Sequence, residues 1–206
     1  MVKVKICGIT NLEDAMAAVG SGCDAVGFLF YKKSTRYVSL WKVARIVGRL
    51  PKQLVKVGVF VNSKENEIRT VAKMCKLDML QFHGDESPEF CDRFKGYQVI
   101  KAFRIRRKRD IRNISRYKTG AFLFDTYLKS KRGGTGEKFN WELISGIDRS
   151  AQLVFLSGGL NDKNVKKAIE VVHPDWVDVS SSVESSPGRK DHKKVRNFIW
   201  AAKGYK

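Results

Sequence analysis

The sequence has no closely spaced cysteines. Cys7, Cys23, Cys75 and Cys91 are its four, and none form a C-x-x-C pair, so neither a disulfide framework nor a zinc site is indicated. His83, His173 and His192 are equally scattered. No apolar run is long enough to cross a bilayer. The first residues carry strand signal from Val2 onward rather than the pattern of a signal peptide, so a soluble cytoplasmic protein is expected. No linker interrupts the chain, and its 206 residues suit one sizeable domain over 1–206 better than two. Acidic residues are in short supply: 21 Asp and Glu face 40 Lys and Arg, a formal net charge of +19. The densest basic run, Lys101 to Lys118, has aromatics only at its ends, Phe103 and Tyr117. Without interleaved rings to stack bases, it reads as a solvated face rather than a specific nucleic-acid surface.

What the chain does have is one pattern repeated from end to end: a short apolar strand, a turn, then a helix. Val4 and Ile6 alternate with Lys3 and Lys5 and stop at Cys7-Gly8. Thr10 and Glu13 fit a capping box, which predicts a helix starting at Thr10. Further strands are predicted at Ala25 to Phe30, Val55 to Val61, Met79 to Phe82, Gln98 to Phe103, Ala121 to Phe124, Leu153 to Leu156 and Trp176 to Val179. Between them, helices are expected to open at Ser39, Ser63, Ser87-Pro88, Asn140 and Asn161. Another is expected inside the basic run, with Ile111 and Ile114 inward. A last one presents Val195, Phe198, Ile199 and Ala202 on one face.

Eight strand-helix units in about 200 residues predict an α/β protein, a single-domain (β/α)8 TIM barrel near its lower size limit. A doubly wound open sheet is the rival. Active sites of such barrels lie at the C-terminal ends of the strands. That rule selects Cys7, the loop from Tyr31 to Tyr37, Asn62, His83, Asp125, Gly158-Gly159 and Asp178 to Ser182. Gly158-Gly159 follows strand seven and Ser180-Ser181-Ser182 follows strand eight, which is where these barrels hold a phosphate on backbone N–H groups. Cys7 and Asp125, at the ends of strands one and six, suit a base and an acid flanking a small substrate. The thiol would be helped toward ionisation by its basic surround. Arg36 offers a fork for a substrate carboxylate. Gly133-Gly134-Thr135-Gly136 suits a lid and lacks the Lys-Ser/Thr ending of a Walker motif. His83 suits either a capping group or a donor that positions a neighbour.

Several blocks occur in order along nearly the whole chain: KICGIT, DAVGFLFY with STRYVS, VGVFVN, LQFHGDE, LFDT, GGTGEKFNW, LSGGLNDKNV and VDVSSSVESSPGRKD. Together they resemble the phosphoribosylanthranilate isomerase family of tryptophan biosynthesis. The resemblance implies an Amadori rearrangement without cofactor or metal, the third step from chorismate. The substrate would be N-(5-phosphoribosyl)anthranilate, a small anion. The product would be 1-(2-carboxyphenylamino)-1-deoxyribulose 5-phosphate. It implies Asp125 as the acid that opens the ribose ring and Cys7 as the base that takes the C2 proton. Arg36, His83 and Asp178 would contact the substrate, with Arg36 on the anthranilate carboxylate. Gly158, Gly159, Ser180 and Ser181 would hold the phosphate.

One residue departs from the family's pattern. Ser182 stands where a glycine is usual, so strain or a shifted loop is expected if that position needs positive φ. The related aldose isomerase of histidine biosynthesis has an aspartate in place of Cys7, so the thiol argues against it. A barrel that uses its charge on nucleic acid is opposed by intact Cys7, Asp125 and Arg36. A monomer and a homodimer both fit the sequence.

Overall fold

The eight apolar runs become eight parallel strands in a computed structural model that describes residues 1–105, 107–125, 141–145 and 152–204. They are β1 (Lys3–Cys7), β2 (Ala25–Leu29), β3 (Val55–Phe60), β4 (Met79–Phe82), β5 (Gln98–Arg104), β6 (Ala121–Asp125), β7 (Leu153–Ser157) and β8 (Trp176–Val179). Each pairs with the next, and β1 also pairs with β8 through Lys5 opposite Asp178, which closes the barrel. The (β/α)8 reading holds and the open-sheet rival falls. Closure covers both faces of every strand, which is why runs such as AVGFL are apolar throughout.

Alternate residues of each strand face the lumen. Near the N-terminal ends these are Ala25, Val57, Met79, Ile100, Ala121, Leu123, Phe155 and Trp176, which form one buried apolar cluster. The Phe155 and Trp176 rings stack with centroids 4.9 Å apart and planes 9° apart. On four of these strands the inward position two residues further along is polar. Gln81 follows Met79, Asp125 follows Leu123, Ser157 follows Phe155 and Asp178 follows Trp176. The barrel is therefore plugged at one end and polar at the other.

The helices are α1 (Leu12–Gly20), α2 (Leu40–Val47), α3 (Glu65–Met74), α4 (Pro88–Cys91), α5 (Glu142–Ser145), α6 (Val165–Val172) and α7 (His192–Lys203). Ser87 caps α4 as expected, its hydroxyl accepting from the Phe90 N–H at 3.2 Å. Four expectations are corrected. Asn11, not Thr10, caps α1, because its side chain accepts from the Asp14 N–H at 2.8 Å. The Thr10 hydroxyl instead reaches the Gly188 carbonyl at 2.6 Å. Lys64 rather than Ser63 precedes α3. Asn161 caps the turn ahead of α6, accepting from Lys163 and Asn164 N–H groups, and the helix itself starts at Val165. The basic run forms two 3-10 turns, Lys108–Ile111 and Ile114–Arg116, instead of a helix. Like charges at helical spacing, Arg109 with Arg112 and Arg112 with Arg116, oppose an α-helix there. The predicted glycine-rich lid at 133–136, and the ends of the helix predicted from Asn140, lie outside the described residues. Among the described residues no helix is long and apolar enough to cross a membrane.

Candidate active site

The strands end on a cavity of about 410 Å³ at the C-terminal mouth. It brings together the residues expected to act on or hold the substrate: Cys7, Arg36, His83, Asp125, Gly158, Gly159, Asp178, Ser180 and Ser181. Asn62, on the shorter list of strand ends, is not in its wall. Its N–H donates to Glu86 at 2.8 Å and its side-chain oxygen accepts from the Asp85 N–H at 2.7 Å, so it shapes a turn.

Cys7 is the last residue of β1 and is 6 % exposed. Burial pushes its thiol above the ordinary value, against the pull of the Lys5 and Lys190 ammonium groups, while Asp178 adds to the rise. The expected lowering by a basic surround is thus reversed, because losing water costs the thiolate more than the two cations return. Lys5 lies one inward step below Cys7, fully buried, and contacts its thiol. Its Nζ donates to Asp178 Oδ1 at 2.8 Å and to Gln81 Oε1 at 2.9 Å. Burial opposes its charge, but Asp178 and Cys7 outweigh that and hold the ammonium above its usual range. Gly27 makes the room: a β-carbon there would sit 2.9 Å from the Cys7 sulfur and 3.1 Å from Lys5 Cε.

Asp125 ends β6 across the mouth. His83 Nε2 lies 3.2 Å from its Oδ2, and Gln81 Nε2 lies 2.9 Å from His83 Nδ1. Asp178 also accepts from the Ser157 hydroxyl at 3.2 Å. The loop carrying His83 is anchored by Glu86, a buried carboxylate that takes the Gly84 N–H at 2.9 Å and Lys101 Nζ at 2.8 Å.

Arg36 approaches from the β2 loop. Its guanidinium is held two-pronged by Glu184, at 2.8 Å from Nε and 2.6 Å from one terminal nitrogen. Lys190 Nζ joins the same carboxylate at 3.1 Å and also donates to the Ser180 carbonyl at 3.1 Å. Glu184 and Lys190 come from a small hairpin after β8, β9 (Glu184–Ser186) with β10 (Arg189–Lys190). Burial resists the Glu184 charge, yet Arg36 and Lys190 prevail and hold its carboxyl below the usual range. Gly8 lets these parts meet. Its φ is +77°, and a β-carbon would lie 2.7 Å from Arg36 Cδ and 2.9 Å from Ser180 Oγ.

Gly158 and Gly159 both have positive φ, 86° and 65°, and face Ser180 and Ser181 across the same cavity. Ser181–Val183 is a single 3-10 turn. The strain expected at Ser182 is absent. The non-glycine residues with positive φ, among those described, are Asn62, Lys76 and His173. Ser182 instead donates its hydroxyl to the Leu160 carbonyl, joining the loop after β8 to the loop after β7.

The residues missed from sequence are Lys5, Gln81, Ser157, Glu184 and Lys190. Two of them carried a signal. Lys5 and Gln81 are polar residues inside strands of a closed parallel sheet, where no face meets solvent. Glu184 and Lys190 had none, because their partners are fixed only by the hairpin.

Fold and site define a (β/α)8-barrel enzyme with its chemistry at the C-terminal mouth. A family model described as N-(5'phosphoribosyl)anthranilate (PRA) isomerase matches residues 4–201. The N-(5'-phosphoribosyl)anthranilate isomerase of Thermotoga neapolitana is 50% identical over 205 residues, covering 99% of this chain and 100% of that protein. The crystal structure of phosphoribosyl anthranilate isomerase from Thermotoga maritima matches with a TM-score of 0.93 at 47% identity, over 99% of this chain and 100% of that one. A crystal structure of the isomerase in complex with reduced 1-(o-carboxyphenylamino)-1-deoxyribulose 5-phosphate matches at 0.90 and 45% identity, over 99% and 100%. The chain belongs to the phosphoribosylanthranilate isomerase family, and it is an isomerase.

Proposed function

We propose that this chain rearranges N-(5'-phosphoribosyl)anthranilate to 1-(2-carboxyphenylamino)-1-deoxyribulose 5-phosphate, the third step of tryptophan synthesis from chorismate, in the cytoplasm. The observation that carries this reading is the convergence of Cys7, Asp125, Arg36 and the Gly158–Gly159 and Ser180–Ser181 loops on one cavity. The phosphate sits against Gly158, Gly159, Ser180 and Ser181, whose backbone N–H groups and hydroxyls suit its oxygens. Arg36 takes the anthranilate carboxylate, with its plane fixed by Glu184. Asp178 and His83 complete the wall beside the ribose.

Asp125 protonates the ring oxygen, the C1–O bond breaks, and an iminium forms between C1 and the anthranilate nitrogen. Cys7 then takes the C2 proton, giving an enolamine. That intermediate gains a proton at C1 and loses the one on the C2 hydroxyl, which leaves the ketone. Cys7 enters its step as the thiolate, its own proton having gone to solvent, and with that release gains and losses balance. The order matters because burial holds the Cys7 thiol above its ordinary value. The iminium adds a positive charge near it at the moment a base is needed, which favours the thiolate.

The decisive test follows anthranilate fluorescence as phosphoribosylanthranilate, generated in place, is consumed. Wild type should turn over. Cys7→Ser and Asp125→Asn should each lose roughly 10²–10⁴-fold in rate. A folded, inert wild type would end the assignment. A variant with full activity would remove that residue's role.

A further inference from the structure

A continuous polar chain crosses the lumen beneath the substrate cavity: Asp178, Lys5, Gln81, His83, Asp125. Its middle members are deeply buried. Lys5 is 0 % exposed and Gln81 1 %. Each link restricts the next, because the donors and acceptors are of fixed kinds.

The chain starts from Lys5. An ammonium has donors and no acceptor. Lys5 is kept charged by Asp178 at 2.8 Å. Whatever Gln81 turns toward it must therefore accept, which puts the Gln81 carbonyl oxygen on Lys5. The amide NH₂ is then the group facing His83 Nδ1 at 2.9 Å. The flipped amide would set its NH₂ against the Lys5 ammonium, donor against donor, where both residues are buried. With Gln81 donating, His83 Nδ1 must be the unprotonated nitrogen. The imidazole is then neutral with its hydrogen on Nε2, and that hydrogen points at Asp125 Oδ2, 3.2 Å away.

We infer that Gln81, oriented by Lys5, is a positioning residue that fixes His83 as the neutral Nε2–H tautomer and thereby confines the transferable proton of Asp125 to Oδ1. Oδ2 is occupied as an acceptor, so the acidic hydrogen has one place to sit. A general acid works only if its proton lies within reach of the atom it protonates. The barrel solves this with an amide three strands away from the thiol and one inward position below the histidine. This inference rests on Asp125 being the acid, and the tautomer readout of its test does not use that role.

The test is the ¹⁵N spectrum of histidine-labelled protein, with the His83 signals identified by their loss in His83→Asn. In wild type, His83 Nδ1 should give a pyridine-type shift and Nε2 a pyrrole-type shift with a bound hydrogen. Gln81→Glu presents only acceptors to Nδ1, so the hydrogen should move to Nδ1. kcat should fall at least about tenfold with KM little changed, since substrate contacts stay. Gln81→Met, close in size and uncharged, should lose the single-tautomer signature and also lower kcat. A wild-type His83 carrying its hydrogen on Nδ1 overturns the inference without any variant. So does an unchanged tautomer together with unchanged kcat in Gln81→Met. An inactive Asp125→Asn accompanied by the wrong wild-type tautomer would sink this inference alone. The right tautomer with an active Asp125→Asn would sink the acid role instead.

Discussion

The two halves of the barrel lumen are built on the same strands and have opposite characters. The lower half is a plug of Ala25, Val57, Met79, Leu123, Phe155 and Trp176, tight against water. The upper half is a set of charged and hydrogen-bonded groups, Lys5, Gln81, Asp178 and Ser157, beneath an open cavity. A single step of two residues separates them, Trp176 to Asp178 and Phe155 to Ser157. The lesson is a division of labour within four of the strands, β4, β6, β7 and β8. On each, the first inward residue holds the barrel shut, and the last holds the chemistry. Lys5 sits at the border, with a stake in both.

This division can be broken at either end. The largest effect is expected at the mouth. Cys7→Ser should cost roughly 10²–10⁴-fold in turnover while its thermal midpoint stays near that of wild type, because one small buried side chain replaces another. Phe155→Ala reverses the signature. Removing a ring stacked on Trp176 should lower unfolding free energy by about 3–5 kcal/mol, with kcat of the folded fraction retained. If Phe155→Ala also abolished kcat, the two halves would not be separable.

Lys5→Met probes the border. It strands the buried Asp178 carboxylate, and losing one partner of a buried pair costs about 3–5 kcal/mol. It also removes the ammonium that holds the Cys7 thiol down. The wild-type thiol should be alkylated by iodoacetamide with a midpoint above the ordinary cysteine value of 9.0, read from the Cys7 peptide by mass spectrometry. In Lys5→Met that midpoint should move higher still. Lys5→Arg keeps the charge and should move it less. A midpoint that stayed in place would take Lys5 out of the chemistry and leave it a purely structural ion.

The smallest effect concerns the rim. Folding lowers the Glu184 and Asp14 carboxyls below their ordinary 4.5 and 3.8. For Asp14 burial works the other way, and the Lys190 N–H together with His192 and Asn11 overrides it. A carboxyl depressed by folding stabilises fully above its ordinary value and loses that contribution as pH falls through the folded value. Urea midpoints should therefore drop as pH falls from 5 toward 3. Glu184→Gln should flatten part of the slope.

How much of this was legible in the sequence follows the same division. The strands could be read because a closed parallel sheet demands unbroken apolar runs, and AFLF or LVFL meets that demand visibly. The mouth could be read because strand ends mark themselves: Cys7 before Gly8, Asp125 after Phe124, Gly158 after Ser157. The border could be read only once closure was assumed. Lys5 alternates with Val4 and Ile6 just as a solvent-facing lysine on an open sheet would, and only closure turns it inward. Helix ends were the other loss. Thr10 with Glu13 and Asn11 with Asp14 are competing caps one residue apart, and the choice went to Asn11 because Thr10 was drawn off by the Gly188 carbonyl. The missing helix after β5 had a local cause, the like charges of the basic run.

The seam of the barrel has a further consequence, for assembly. Lys5 and Asp178 are bonded although they lie 173 residues apart. β1 can find β2 early, but it can find β8 only when nearly the whole chain has been made and brought round, a long loop to close. The strand that carries the thiol and its ammonium is thus completed by the last barrel strand to arrive. On a ribosome, or after a cut near the C-terminus, everything from β1 to β7 can be present while Lys5 still lacks its counter-ion. The appearance of a properly poised Cys7 therefore reports that the ring has closed.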